Sequence, residues 1–373
     1  MDVFPKEISA VKSIFKSDSV SHDNKLFKLH HQVNYFFVLL GIVFIFGQNY
    51  LGNPIQCYKE DDGYVLQFCW YHGSGHLPDK LSKNVSGCIA DQKLFENGAQ
   101  RGEYEQRDQK HTKYYIWLPF VLGICLVIIK TPRFFWKNMC ERGLMESIVA
   151  NTPEKMAARI RKLKGQRSFM YFLSFFFCEI LNIISVVLCA IILDSLLGGN
   201  FWNYGTKVHE FYSTNALNRK SLDITNPMCN VFPTEVSCLI TSAGINGELQ
   251  HKNHLCMLSN NMFNQYYFLI LWVWWVFLFS LSIVCLVFRA LQFMVPAFSA
   301  AVFRSHLTQY NLQYWASDLE YLKLKQWDYF LLIHIINNLK KGSSVEELLK
   351  EMILIAKGMN GKNDPESIQT KAI

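Results

Sequence analysis

The chain has 373 residues, 50% of them hydrophobic and 15% aromatic, with only 18% charged. A soluble domain carries about a quarter charged residues, so this balance argues against an ordinary soluble class, including the two soluble domains that length alone would allow. The formal net charge of +7 follows the pattern that membrane orientation requires, which removes the case for nucleic-acid binding.

In chain order, residues 1–34 precede the first apolar block. Ile8, Val11, Ile14 and Phe15 recur there at helical spacing, and Pro5 suits a first helical turn. Residues 35–51 form the first predicted span, with no charge between His31 and Lys59. Residues 52–113 form a polar segment, and 114–129 form a second span bracketed by Lys113 and Lys130. A bilayer core needs about 20 helical residues, so this short block extends past its lysines by snorkelling. Residues 130–167 are basic. The third span, 168–193, is interrupted only by Glu179; residues 194–265 are polar; the fourth span, 266–288, is free of charge. Tyr114, Tyr115, Trp117, Tyr266, Tyr267 and Trp272 mark interfacial belts. Residues 289–373 read as helical, with Ser317-x-x-Glu320 and Ser344-x-x-Glu347 as capping boxes and Gly342 and Gly358 as helix ends. Leu322, Trp327, Phe330, Leu331 and His334 predict a helix packed on another around Met156–Leu163. The tail from Asn360 reads as disordered.

Four spans put both termini and the middle segment on one side. Lys plus Arg number 25 on that side and 12 on the other, so both termini are predicted to be cytoplasmic. No cleavable signal is expected, because the first apolar run starts too late. Six of the 11 cysteines fall in the two outer segments: Cys57, Cys69, Cys88, Cys229, Cys238 and Cys256. An even set on the oxidising side predicts a disulfide framework, and six thiols allow 15 connectivities. The sequon Asn84-Val85-Ser86 falls on the same side.

Several motifs carry a family resemblance. Tyr114-Tyr115-Ile116-Trp117-Leu118-Pro119-Phe120 closely resembles the Tyr-Tyr-Gln-Trp-Val signature of innexins, with Ile116 in place of the Gln and Leu118 in place of the Val. Asp23-Asn24-Lys25-Leu26-Phe27-Lys28-Leu29-His30 looks like the innexin pre-helix, and Gly52-Asn53-Pro54-Ile55-Gln56-Cys57 like the family's Gly-x-Pro-Ile-x-Cys. Phe68-Cys69-Trp70, Pro132-Arg133-Phe134-Phe135-Trp136-Lys137, Asn226-Pro227-Met228 and Val231-Phe232-Pro233 resemble further family stretches in the same order. Pro119 removes an N–H and so frees a backbone carbonyl within the second span.

The resemblance implies an all-α membrane protein: a four-transmembrane-helix bundle with an N-terminal pore helix, disulfide-linked extracellular loops and a helical cytoplasmic dome. It implies a gap-junction channel subunit at the plasma membrane, in a homo- or hetero-oligomeric ring of eight innexin subunits that docks with a ring in the apposed cell. It pairs Cys57 with Cys256 and Cys69 with Cys238. Cys88 and Cys229 exceed the family's four outer cysteines, either as a third bridge or as two free thiols. A glycan on Asn84 would obstruct docking, as in pannexin-like hemichannels; an unused sequon would not. The N-terminal segment either lines the pore mouth, where Asp2 and Glu7 would favour cations, or lies as an amphipathic helix on the inner membrane surface. Glu179 faces either the pore or the bundle, beside a polar stripe of Ser174, Cys178, Asn182, Ser185 and Cys189. The basic run Arg159–Lys164 is a solvated face by default, or a site for acidic lipid or calmodulin. The outer histidines read as solvated, and His251-x-x-His254-x-Cys256 cannot ligate a metal through a bridged sulfur. No cofactor or metal is called for, and no phosphate loop, His-Glu-x-x-His helix or nucleophile elbow supports an enzyme. The alternatives are an undocked hemichannel and a non-conducting adhesion or scaffold protein.

Overall fold

The computed structural model describes residues 24–57, 62–72, 74–76, 110–112, 114–215, 217–218, 225–243, 246–316, 322–339 and 342–358. Asp2, Glu7, Asn84, Cys88, the Ser317-x-x-Glu320 box and the tail from Asn360 lie outside them. The protein is predominantly helical, with four helices long and apolar enough to cross a membrane: α1 (Lys25–Tyr50), α3 (Tyr114–Phe135, continuing to Asn138), α6 (Gln166–Leu196) and α9 (Ser259–Met294). Each runs beyond the predicted span, because turns with polar residues continue the apolar helices at their ends. In α1 the turns at Leu29–Asn34 are π-helical. The helix α3 is continuous through Pro119 and Pro132.

The chain divides into two compact units: residues 1–32, 130–184 and 280–373 form one, and residues 33–129 and 185–279 the other. The first unit contains α4 (Leu144–Val149), α5 (Pro153–Leu163), α10 (Pro296–Thr308), α11 (Gln326–Leu339) and α12 (Gly342–Ala356). Pro153 at the first helical position starts α5. Met156, Ala157, Ile160 and Leu163 bury one face of it, while Arg159, Arg161, Lys162 and Lys164 remain exposed. Its chief partner is α12 rather than the expected α11, which packs on α10 and α4. Ser344 is the third residue of α12 and already helical, so it is not the N-cap, and Gly342 opens this helix instead of ending one. Gly358, at φ +75°, closes it: the N–H groups of Lys357 and Gly358 donate to Ile353 and Ile355. Trp136, fully buried, meets Tyr171 and Phe175 edge-on at 5.1 and 4.8 Å. The Glu141 carboxylate accepts from the N–H groups of Gly143 and Met145 and so caps α4.

The second unit holds a five-stranded antiparallel sheet within segments that the sequence presents only as disulfide-linked loops. Its strands are β1 (Gln56–Cys57), β2 (Ser74–His76), β3 (Lys110–Thr112), β4 (Glu235–Ala243) and β5 (Leu249–Met257), in the order β1-β5-β4-β2-β3. Among the described residues the same unit also holds the short helices α2 (Gly63–His72), α7 (Tyr204–Ser213) and α8 (Pro227–Val231). The β4–β5 hairpin is the spine, pairing Glu235 with Met257 through to Ala243 with Leu249. Two close approaches require glycine: a Cβ on Gly41 would stand 2.1 Å from the Tyr267 ring, and one on Gly205 2.2 Å from Trp272.

Candidate functional site

The first residues of α3 anchor both cysteine-bearing segments. Tyr115, 1% exposed, stacks on Trp70 at 4.5 Å and donates its hydroxyl to the Trp70 carbonyl at 3.4 Å. It thereby holds the end of α2, which carries Cys69. Tyr114 turns to the other segment: its hydroxyl donates to the Val231 carbonyl at 2.7 Å, and its ring meets Phe232 edge-on at 5.7 Å. The adjacent tyrosines therefore divide the work, one clamping each segment. Trp117, at 60% exposure, points outward beside Phe120, as an interfacial anchor would.

Pro119 lacks an N–H and so cannot donate to the carbonyl four residues before it, that of Tyr115. Asn49 near the end of α1 does so instead, its side-chain amide donating to Tyr115 O at 3.0 Å. Asn260 in turn donates to the Asn49 side-chain oxygen. The opening turns of α9 extend this polar layer: Asn261 donates to Pro233 O at 2.7 Å and Gln265 to Phe232 O at 2.8 Å. These buried amides satisfy carbonyls at the base of the second segment, which would otherwise be orphaned. Tyr204 of α7 donates to Gln265 O at 3.0 Å, and burial raises its phenol well above the ordinary value. Asn226 caps α8 through the Met228 N–H at 3.0 Å, with Pro227 in its first turn. Lower in α1, Asn34 accepts from the indole N–H groups of Trp274 and Trp275 at 3.1 and 3.0 Å.

Two disulfides staple the sheet. Cys57 of β1 faces Cys256 of β5 and is bonded to it, and Cys69 of α2 is bonded to Cys238 of β4. Both join the segment between α1 and α3 to the segment between α6 and α9. Cys229 is also disulfide-bonded. The sulfurs of Cys57, Cys69 and Cys256 lie within 4.8 Å of one another, but bridged sulfurs have no thiolate to offer a metal. Among the described residues, Cys125, Cys140, Cys178, Cys189 and Cys285 are free.

Glu179 belongs to the first unit. It is 3% exposed and accepts from Arg289 at 3.2 and 3.3 Å, and from the Asn24 amide at 3.0 Å. The carboxylate is thus satisfied by a bidentate guanidinium and a neutral donor. Asn24 also caps the start of α1 by accepting from the Phe27 N–H at 2.7 Å. Arg289 donates to Gln292 at 2.7 Å and lies over the rings of Phe330 (4.6 Å) and Phe175 (5.4 Å). His334 of α11 packs on the same rings, its Nδ1 lying 3.1 Å from the Tyr171 hydroxyl. Burial, and after it the Arg289 charge, lowers its pKa to about 3. Cys178, Asn182, Ser185 and Cys189 are buried, and His30 and His31 bond to Ser282 and to the Phe27 carbonyl.

The motifs contain Trp70, Val231, Phe232 and Asn24, but nothing in the sequence pairs them with Tyr115, Tyr114 and Glu179. Asn34, Asn49, Asn260, Asn261 and Gln265 went unremarked, although uncharged amides in or beside apolar runs are the signal that would have found them.

The fold and this site define a multi-pass membrane protein whose two cysteine-bearing segments are covalently stapled into one sheet. The chain belongs to the innexin family, whose sequence profile matches residues 23–355. Among curated relatives, Innexin inx2 of Schistocerca americana is 28% identical over 97% of this chain and 99% of its own length. Innexin inx3 of Drosophila melanogaster is 25% identical over 98% of this chain and 94% of its own, and Innexin shaking-B of the same organism is 23% identical over 91% of each.

Proposed function

We propose that this chain is a gap-junction channel subunit that passes ions and small molecules between cells. Family membership supports the reading, but the observation that carries it is the stapled sheet. Two proteins that meet across extracellular space need surfaces shaped beforehand, because ordering loose loops on contact subtracts from binding. The bridges Cys57–Cys256 and Cys69–Cys238 and the Tyr114 and Tyr115 clamps fix such a surface. In this reading both termini are cytoplasmic, subunits of one or several kinds form a ring of eight, and two rings dock end to end. Asp2 and Glu7 stand at the pore mouth and favour cations, and Cys88 is the partner of the bonded Cys229. Glu179, already neutralised by Arg289, holds the subunit together rather than lining the pore.

Paired expressing cells test this. Wild type should give junctional current, and a Cys69→Ser/Cys238→Ser variant should lose it while still reaching the surface. Junctional current unchanged in that variant, or an epitope on residue 373 found outside the cell, would overturn the reading. The sequon at Asn84 favours one second reading, an undocked hemichannel. It predicts dye uptake by single cells, and junctional current that appears only in Asn84→Gln.

A further inference from the structure

The first unit contains a cavity of about 220 Å³ between α5, the start of α6, α11 and α12; a single water needs about 10–15 Å³. Its lining is graded. Ile160, Leu331 and Met352 are buried and apolar, whereas Arg161, Lys164 and Lys323 are exposed. The cavity thus combines buried, largely apolar walls with a cationic rim. Lys164 donates to the Leu322 carbonyl. Among the described residues, the side chains of Arg161 and Lys323 have neither a hydrogen-bond nor an ion-pair partner. Asp328 also borders the cavity and is 4% exposed. Its carboxylate is occupied by three donors: the N–H of Gly165 at 3.2 Å, the Ser168 hydroxyl, and the N–H of Lys325 at 3.0 Å. It holds the first turns of α6 and α11, so among the described lining residues the charge left over is positive. The buried polar groups of the lining, Ser168 and Asp328, are bonded to each other, so the apolar walls offer water few partners, and the Arg161 and Lys323 cations attract an anion.

We propose that this cavity binds a single-chain anionic amphiphile, an acyl chain bearing a carboxylate or a phosphate. The chain lies against Ile160, Leu331 and Met352, and the headgroup is held by Arg161 and Lys323, with Lys164 close by. Ser168, in the first turn of the span-length helix α6, borders the cavity, so it lies near the end of a membrane-spanning helix. Such a ligand touches α5 and both C-terminal helices at once, and so couples the middle segment of the chain to its C-terminal region. The gap-junction reading is not needed for this inference.

Full-length protein in phosphatidylcholine nanodiscs tests it, with photoactivatable probes and peptide mapping of the cross-links. A diazirine fatty acid delivered from albumin represents a soluble source, and a diazirine monoacyl phosphate built into the bilayer represents a leaflet source. At least one should label peptides within 157–168, 322–332 or 352–356, and which one does so identifies the source. The diazirine fatty alcohol should label these peptides about tenfold less. Arg161→Glu/Lys323→Glu, both exposed positions, should reduce anion labelling by at least about thirtyfold, as expected for the loss of two charges near a surface. Met352→Trp, which fills the interior, should abolish it with the monodisperse elution profile unchanged. Equal labelling by alcohol and anions, labelling only elsewhere, or labelling indifferent to the charge reversal would each overturn the proposal.

Discussion

Replacing Asn49 by leucine removes the side-chain donor to Tyr115 O, a buried hydrogen bond that the missing N–H of Pro119 cannot replace. Removing one partner of a buried hydrogen bond costs about 1–3 kcal/mol, while side-chain hydrogen bonds between helices in bilayers average about 0.6 and reach about 1.7 kcal/mol. We therefore expect Asn49→Leu to destabilise the protein by about 2 kcal/mol, part of it from the Asn260 amide that also loses its acceptor. The diagnostic step is a second substitution on α3. Pro119→Ala restores an N–H four residues after Tyr115, and the freed carbonyl then closes an ordinary helical hydrogen bond. In that background Asn49→Leu should cost about 1 kcal/mol less. The loss at Asn260 and the altered helix preference at position 119 occur in both arms of the double-mutant cycle and cancel. Unfolding free energies from denaturing-detergent titration in mixed micelles give the four corners. Distant, unconnected sites add to within about 0.3–0.5 kcal/mol; additivity that close would refute the claim that Pro119 and Asn49 share one carbonyl.

Glu179→Ala strands the Arg289 guanidinium beside aromatic rings, and breaking a buried pair costs about 3–5 kcal/mol. The double variant Glu179→Leu/Arg289→Met should recover most of the surface expression that the single change loses. His334 is held neutral, with its pKa lowered to about 3 against about 6.5 for the free side chain. Its contribution is therefore complete above pH 6.5 and is lost as pH falls towards 3, by about 1.4 kcal/mol per unit. A His334→Phe variant should flatten the stability–pH curve across that window, as checked by thermal melts from pH 7 to pH 4. Gly41→Ala places a methyl group 2.1 Å from the Tyr267 ring, an overpacking worth about 1–3 kcal/mol. Tyr267→Ala added to it should be less destabilising than in the wild-type background, measured as midpoint shifts.

What was legible in the sequence was whatever depends on a continuous run. A charge-free stretch from Tyr266 to Val287 has few fates other than a span, because every unpaired backbone group in hydrocarbon must be satisfied within a helix. The ends of those runs were not legible. Asn34, Asn49 and Asn260 look like interruptions in one dimension, and each is buried because its partner comes from another element. The sheet was hidden for a related reason: β1, β2 and β3 are two or three residues long, too short to show alternation, and they depend on the β4–β5 hairpin for pairing. Glu179 shows the same limit in the polar direction. The sequence marked it as a costly group in a span, but it could not show that Arg289, 110 residues away, completes it.

The Tyr114–Pro119 motif also shows what a departure from the family pattern tests. Ile116 and Leu118 replace the Gln and Val of the signature, while Tyr114, Tyr115, Trp117 and Pro119 remain. In the structure those four have separate tasks. Two hydroxyls reach backbone carbonyls of different segments, one indole faces outward, and one missing N–H releases the carbonyl that Asn49 takes. Ile116 is only partly buried, so an apolar residue or the signature's Gln serves there, whereas Leu118 packs in the interior, where any apolar residue of suitable size serves. If that division is right, Ile116→Gln should leave stability within about 0.5 kcal/mol of wild type, as surface changes away from special features do. Tyr115→Phe, by contrast, should cost about 1 kcal/mol for the lost hydrogen bond, read by the same detergent titration.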